Sequence, residues 1–138
     1  MTARYFVDTN VFVYADDDSA GPKRDQARQL IREMTSSRAG VLSLQVLQEY
    51  FSAATKKLGI PAADVRQRIE WLSRWEVVIL GVEDLLAAVD LHRLHGFSIW
   101  DALVIRAALK AGCRVLYSED LQDGRRIDGL EIVNPFKM

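Results

Sequence analysis

The sequence has a single cysteine, Cys113, and it has no long apolar run. One cysteine excludes an intramolecular disulfide, and its predicted role is that of a small buried apolar side chain. No stretch approaches the roughly 20 consecutive apolar residues that a bilayer-spanning helix needs. The apolar run near the N-terminus, Tyr5 to Val7, stops at Asp8 and is too short for the apolar region of a signal peptide. We therefore expect a soluble, cytoplasmic protein.

The sequence also lacks an excess of positive charge, because 18 Lys and Arg face 19 Asp and Glu, for a formal net charge of -1. A basic footprint is typical of proteins that bind nucleic acid. If four acids bind a metal ion, 15 acids remain against the 18 basic residues, which leaves an excess of +3. This balance is compatible with an enzyme that acts on RNA, but it does not require one.

No linker, low-complexity segment or internal repeat interrupts the chain, and 49% of its residues are apolar. Such a composition is enough to form a continuous core in a chain of 138 residues. Residues 1–138 are therefore expected to form one domain.

Short apolar segments alternate with longer segments of helical periodicity. Five segments are predicted strands: Tyr5 to Val7, Gly40 to Leu42, Glu76 to Leu80, Cys113 to Tyr117 and Leu130 to Val133. Five segments are predicted helices, and four of them are Pro22 to Arg38, Leu44 to Lys57, Val82 to His95 and Ile99 to Ala111. The remaining helix begins at Pro61 and carries Val65, Ile69, Leu72 and Trp75. The alternation predicts βα crossovers, and hence a three-layer α/β/α fold with a central, mostly parallel sheet of about five strands.

Acidic residues follow two of the predicted strands. Ligands of such folds bind beyond the carboxyl ends of the strands, where Asp8 follows the first strand and Ser118, Glu119 and Asp120 follow the fourth. Asp8 suits both helix capping and metal binding, and the two roles can coexist because a carboxylate has two oxygens. The Asp-Gly pair at positions 123 and 124 is an ordinary turn signal, which leaves Glu119 and Asp120 unexplained.

Two further acids, Asp101 and Glu49, have structural interpretations beside the functional one. The segment from Ser98 to Asp101 matches the spacing of a capping box, with Asp in place of the preferred Glu or Gln. Glu49 belongs to a polar helical stripe with Gln45, Ser52 and Lys56 that could simply face water. The residues alone leave both alternatives open.

The histidines and the central aromatic residues favour structural roles. His92 and His95 would share a helix face, but a zinc site needs three or four ligands and one distant cysteine does not complete such a set. We expect both histidines at a helix C-terminus, where the helix dipole favours positive charge. Four aromatic residues could serve the core or an interface, and the core is the predicted role: Tyr50, Phe51, Trp71 and Trp75.

Taken together, these residues resemble the PIN-domain family, and more narrowly its VapC-type toxins. Four pieces carry the resemblance, in the order and at the separations typical of the family: Phe6-Val7-Asp8-Thr9-Asn10, Gln48-Glu49, Ser98-Ile99-Trp100-Asp101-Ala102-Leu103 and Ser118-Glu119-Asp120-Leu121. The segment Asn134-Pro135-Phe136 is also similar to members of the family, so the resemblance extends from Phe6 to Phe136.

The resemblance implies an acidic quartet and a set of partners. By position, the quartet is Asp8, Glu49, Asp101 and Asp120. The family cleaves RNA with a divalent metal, and oxygen ligands suit Mg²⁺, or Mn²⁺ as its substitute. The family also implies neutralisation by a small cognate antitoxin protein and pairing of the chain with a second copy of itself.

We assign hypothetical roles within this quartet. Asp8 and Asp101 would ligate the principal metal, Asp120 would complete or bridge a second position, and Glu49 would position the attacking water. Asn10 and Ser118 would hold the acids in place by hydrogen bonds.

The predicted function is thus that of a toxin endoribonuclease. The alternatives are a PIN nuclease of RNA processing that has no antitoxin, and a catalytically silent module that binds RNA or protein. A metal phosphatase is disfavoured, because an aspartyl-phosphate enzyme has a second acid two residues after its nucleophile, whereas Asn10 stands at that distance from Asp8.

Overall fold

The computed structural model describes residues 3–137, which form one six-stranded sheet and six helices. The strands in chain order are β1 (Tyr5–Val7), β2 (Gly40–Ser43), β3 (Glu76–Val78), β4 (Val115–Tyr117), β5 (Arg126–Ile127) and β6 (Leu130–Val133). The helices are α1 (Thr9–Ala15), α2 (Pro22–Ser37), α3 (Leu44–Lys56), α4 (Ala62–Leu72), α5 (Val82–His95) and α6 (Ile99–Lys110).

The sheet has the strand order β3-β2-β1-β4-β6-β5 and is parallel except for its last pair. The chain moves outward from β1 to β3 and then returns to β4 on the other side of β1. Right-handed crossovers therefore place α1 to α4 on one face of the sheet and α5 and α6 on the other. Helix packing agrees with this placement, since α1 contacts α2 and α3 whereas α5 contacts α6. The predicted α/β/α fold with a mostly parallel sheet is confirmed.

The structure differs from the sequence prediction at one helix, one strand and several element ends. α1 (Thr9–Ala15) is absent from the predicted helices, although Asp8 suits helix capping. β5 pairs antiparallel with β6 and is absent from the predicted strands, because its two residues lie in a turn-rich segment with no apolar run. β3 ends at Val78 and β4 begins at Val115, so both strands are shorter than predicted. Trp75 lies beyond the end of α4, and its ring approaches Gly40 so closely that an added β-carbon there would come within 2.7 Å of it.

The core contains the central residues of the strands, including Phe6, Leu42, Leu116 and Ile132, which are all fully buried. Cys113 is also buried, as predicted, and burial raises the pKa of its thiol to about 12. Within residues 3–137, no helix combines the length and apolar character that crossing a bilayer requires.

The core assignment of the four aromatic residues is only half correct. Tyr50 is buried and Trp75 packs partly buried against the core. Phe51 and Trp71 are instead 39% and 43% exposed, because they lie on the outward sides of α3 and α4. Their contribution to the core is therefore smaller than predicted, and both rings are available for contacts with other molecules.

Candidate active site

The carboxyl ends of β1 and β4 bring two separate parts of the sequence together. The strands pair in parallel with Val7 opposite Tyr117, and the Asp8 amide donates a hydrogen bond of 3.0 Å to the Tyr117 carbonyl. The next residue along, Ser118, donates from its Oγ to Asp8 Oδ2 at 2.8 Å. Parallel pairing thus places Asp8 and the residues that follow β4 at one edge of the sheet.

Asp8 is a buried carboxylate at the N-terminus of α1. Its side chain is only 6% exposed, and its Oδ1 accepts a hydrogen bond of 2.7 Å from the Thr9 amide, which makes it the N-cap of the helix. Among the described residues, no Lys, Arg or His side chain pairs with it. Burial, together with the negative charges of Asp120 and Glu49, raises the pKa of Asp8 to about 6, although the bonds from Ser118 and Thr9 act in the opposite direction.

Glu49 lies on the exposed side of α3 and is held by two neutral donors. Thr9 Oγ1 donates to Glu49 Oε1 at 3.2 Å, and Gln45 Nε2 lies 3.4 Å from the same oxygen. Gln45 also donates to the Trp100 carbonyl at 3.4 Å, which connects α3 to the first turn of α6. The polar stripe of α3 therefore does face solvent, but its Glu49 lies beside Asp8 and not on a remote surface.

Asp101 occupies the first turn of α6, and the helix cap is Ser98. Ser98 Oγ accepts a hydrogen bond of 3.1 Å from the Asp101 amide, so the capping signal in the sequence is real. The cap bond is made by the backbone amide of Asp101. Burial and the negative charge of Asp120 raise the pKa of Asp101, opposed by the Ser98 hydroxyl.

Asp120 has an exposed side chain and is held by Asn10. Asp120 Oδ2 accepts a hydrogen bond of 3.2 Å from Asn10 Nδ2, and the Asp120 amide donates to Ser118 Oγ at 3.2 Å. Asn10 Nδ2 also lies 3.4 Å from Ser118 Oγ. Asn10 and Ser118 therefore both contact Asp120, and Ser118 also contacts Asp8.

The other acids of the loop after β4 point elsewhere. Glu119 bonds to Tyr14 and Lys23. Asp123 accepts from the Asn134 amide at 2.7 Å and lies near Lys137. Nothing in the spacing of the sequence indicates these partners, nor the contacts of Thr9 with Glu49.

The four carboxylates Asp8, Glu49, Asp101 and Asp120, here called the carboxylate cluster, thus belong to one region of the surface. Asp120 is close enough to raise the pKa of both Asp8 and Asp101. Within residues 3–137, however, no three Asp, Glu, His or Cys side chains converge tightly enough to form a ready-made metal site.

The chemistry of the carboxylate cluster nevertheless fits a hard divalent cation. All of its donor atoms are oxygens, which suit Mg²⁺ and Mn²⁺. A buried carboxylate without a cationic partner, as at Asp8, is unfavourable unless a positive charge compensates it. The zinc alternative gains no support, since His92 contacts the Phe97 carbonyl at 2.5 Å and both histidines lie in the last turn of α5.

A cleft of about 960 Å³ adjoins the carboxylate cluster. Glu49 and Asp120 lie at one part of its wall, and Lys56 at the end of α3 and the following residue, Lys57, lie at another. Glu49 and Lys56 are seven residues apart, so they share a helix face about 10 Å apart along the axis. An extended polymeric ligand would fit such a cleft.

Comparison with known proteins yields one family and several similar folds. A sequence model described as PIN domain matches residues 5–130. The sarcin-ricin loop cleaving toxin VapC20 of Mycobacterium tuberculosis has a similar structure, with a TM-score of 0.67 and 21% identity, covering 84% of this chain and 89% of that chain. A toxin–antitoxin complex from Klebsiella pneumoniae matches with a TM-score of 0.70 and 19% identity over 99% of this chain and 100% of that chain.

A third similar structure is DNA-bound VapBC from Salmonella typhimurium, with a TM-score of 0.66, 21% identity, and coverage of 95% of this chain and 97% of that chain. At these identities the similarity concerns the fold. No curated protein sequence matches the chain significantly.

Proposed function

The chain belongs to the PIN-domain family, and on this premise we propose that it is a divalent-metal-dependent endoribonuclease and the toxin of a toxin–antitoxin pair. The observation that carries the proposal is Asp8, a buried carboxylate with no cationic partner among the described residues, beside the other acids of the carboxylate cluster. The proposal places the enzyme in the cytoplasm and takes residues 1–138 as one nuclease domain.

Each acid of the carboxylate cluster has a proposed role. Asp8 and Asp101 hold the principal Mg²⁺ or Mn²⁺, and Asp120 completes this site or holds a second ion. When bound, such an ion supplies Lewis acidity, lowers the pKa of a coordinated water and offsets charge on phosphate oxygens. Glu49, fixed by Thr9 and exposed to the cleft, orients the attacking water. No side chain is needed as a nucleophile.

RNA is the proposed substrate, and the cleft supplies a place for its backbone. Lys56 and Lys57 line the cleft and form no ion pair within the described part of the chain, so both ammonium groups are available to phosphates. A similar fold belongs to a toxin described as cleaving the sarcin-ricin loop. Looped or single-stranded RNA is favoured, because only unstacked bases expose edges that a protein can read.

The test is cleavage of end-labelled RNA by the purified protein. We expect cleavage with Mg²⁺ or Mn²⁺, none with excess chelator, and none by Asp8→Asn with metal present. Sequencing the ends of the products identifies the cut position and the cleavage chemistry. Cleavage that persists in chelator, or in Asp8→Asn, would contradict the proposal.

A small antitoxin is the first proposed partner. Two of the similar structures are described as a toxin–antitoxin complex and as VapBC. A groove of about 520 Å³ between α2 and α4 offers a suitable surface, with an apolar and aromatic floor and three arginines. The floor includes Phe12, Ile31 and Trp71, and the arginines are Arg28, Arg32 and Arg68. Arg68 pairs with Asp16, which also lines the groove, whereas Arg28 and Arg32 form no ion pair among the described residues. An amphipathic segment with acidic residues would match these two arginines, and co-expression of a small protein encoded next to this chain should suppress its toxicity.

A second copy of the chain is the other proposed partner. An apolar surface, here called the α5 face, consists of Ile79, Val82, Leu86, Val89 and Trp100, which are between 36% and 74% exposed. Contiguous apolar patches of this kind mark interaction surfaces. α5 also carries acidic residues in its first turn and basic residues in its last turn. Two copies of α5 that pair antiparallel about a two-fold axis would therefore bring opposite charges together.

A further inference from the structure

Glu119 stands between Ser118 and Asp120, yet its side chain takes no part in the carboxylate cluster. Glu119 Oε1 accepts a hydrogen bond of 2.6 Å from the Tyr14 hydroxyl, and Oε2 accepts one of 2.5 Å from Lys23 Nζ. Both carboxylate oxygens are thus engaged by residues of α1 and α2. The loop after β4 is thereby tied to two helices of one face of the fold.

Lys23 is itself flanked by two aromatic rings. Its ammonium nitrogen lies 5.0 Å from the centre of the Tyr14 ring and 5.8 Å from that of Phe136, within the range of cation–π attraction. The two rings pack edge to face with their centroids 5.0 Å apart. The side chains of Lys23 and Glu119 are 42% and 23% exposed, so water screens this pair less than it screens a fully exposed ion pair.

The opposite side of the same loop contacts Asn10. The Glu119 amide donates to Asn10 Oδ1 at 3.3 Å, while Asn10 Nδ2 donates to Asp120 Oδ2. The Asp120 side chain is exposed, so its position depends on the bond from Asn10 and on the backbone of the loop that carries it.

Repulsion within the carboxylate cluster acts against that position. The negative charge of Asp120 acts on the carboxylates of both Asp8 and Asp101, and like charges repel. This repulsion pushes Asp120 and its loop away from Asp8 and Asp101. An anchor on the neighbouring residue, Glu119, opposes the displacement without adding a further negative charge to the cluster.

We propose that Glu119 is a positioning residue which, anchored by Lys23 and Tyr14, keeps Asp120 in place for metal binding. The inference rests on the proposed function of the carboxylate cluster. It gives Glu119 no contact with the metal, and it gives Lys23 a role in metal binding although Lys23 has no ligand atom for a cation.

Isothermal titration calorimetry with Mn²⁺ alone tests this role. Lys23→Met leaves every carboxylate in place and removes the anchor, so we expect Mn²⁺ binding about 10-fold weaker than in the wild type. Glu119→Ala should weaken binding to a similar degree, and the double variant should lose little more. Lys23→Arg keeps the cation and should retain near-wild-type affinity. Arg66→Met, which breaks an exposed pair with Glu70 on α4, is the matched control and should not change the affinity.

The pattern across variants separates a positioning residue from a ligand. If Glu119 were itself a metal ligand, Glu119→Ala would bind Mn²⁺ weakly while Lys23→Met would bind it with wild-type affinity. That result would overturn the inference. Thermal unfolding without metal shows any general loss of stability, which by itself does not change the Mn²⁺ dissociation constant. If Lys23→Met does not fold, Tyr14→Phe removes one donor to the same carboxylate and should weaken Mn²⁺ binding by a few-fold; wild-type affinity in that variant would equally overturn the inference.

The proposed function and the positioning role of Glu119 would be contradicted by different results. A wild-type protein that binds no Mn²⁺ would defeat the proposed function and the inference together. Tight binding by the wild type with unchanged binding by Lys23→Met would defeat the positioning role alone.

Discussion

Ser118 donates a hydrogen bond of 2.8 Å from its hydroxyl to the carboxylate of Asp8, 110 positions earlier in the sequence. Both side chains are buried, and Ser118 is fully inaccessible to solvent. The bond joins the ends of two parallel strands and holds one oxygen of the carboxylate that we place at the centre of the active site. Its loss should therefore affect both the stability of the fold and the affinity for metal.

Ser118→Ala tests this relationship. The change leaves a buried carboxylate with one donor fewer, which should lower the free energy of unfolding by about 1–3 kcal/mol. Mn²⁺ affinity should fall by about 10-fold, because a residue that orients a ligand is lost. Urea unfolding and calorimetry measure the two effects. Ser36→Ala, which removes an exposed hydroxyl on α2, is the control, and equal behaviour of the two variants would refute the role of Ser118.

The stability of the metal-free protein should depend on pH through Asp8. Burial, the first cause, raises the pKa of this carboxyl from 3.8 to about 6, so the folded state favours the protonated form. Protonated Asp8 therefore adds roughly 3 kcal/mol to the free energy of unfolding below pH 3.8. This contribution is lost as the pH rises to about 6. Asp8→Asn should remove this part of the pH dependence and be the more stable protein at pH 7 in chelator.

Urea unfolding of both proteins from pH 4 to pH 8 measures the difference. Added Mn²⁺ at pH 7 should stabilise the wild type and leave Asp8→Asn unchanged, because only a state that binds the ion gains stability. Parallel pH profiles of the two proteins would show that Asp8 is not the titrating group.

Asp101→Ser separates capping from catalysis. Ser98 is the cap of α6 and bonds to the backbone of residue 101, so the substitution should cost about 1 kcal/mol of stability or less. RNA cleavage, in contrast, should be abolished, since a proposed metal ligand is lost. Melting temperature and cleavage rate are the two readouts, and Asp90→Ser on the exposed side of α5 is the control. Full cleavage by Asp101→Ser would leave this residue with a structural role only.

Leu86→Glu tests the α5 face. Leu86 is 60% exposed in one chain, so a charge there should not disturb the fold of the protomer but should split a dimer. Light scattering should report a dimer for the wild type and a monomer for the variant. Leu94→Glu provides the comparison, because Leu94 is 77% exposed but points about a quarter turn away around α5. A monomeric wild type at micromolar concentration would contradict the proposed dimer.

The fold could be predicted from the sequence wherever a segment was long or fully apolar. α5 begins and ends at the predicted residues Val82 and His95, because Gly96 adopts the left-handed conformation, with φ +77°, in which helices commonly end. β5 could not be predicted, since two residues carry no periodicity and their pairing with β6 depends on the turn between them.

The candidate site was predictable only in part, for a physical reason. Parallel strands bring their carboxyl ends to one edge of the sheet, so the proximity of Asp8 and Ser118 follows from the topology. The bonds from Lys23 and Tyr14 to Glu119 depend on how α1 and α2 pack, which residue spacing does not encode. Sequence reasoning therefore left the roles of Glu119 and Asp120 unresolved, whereas their different hydrogen-bond partners now separate them.

Anomalous diffraction from crystals of the protein grown with abundant Mn²⁺ tests the central claim most directly. We expect an anomalous peak coordinated by oxygens of Asp8 and Asp101, with Asp120 drawn toward it, and no peak in crystals of Asp8→Asn. A wild-type map without a peak at these carboxylates, with their side chains turned away from one another, would contradict the account.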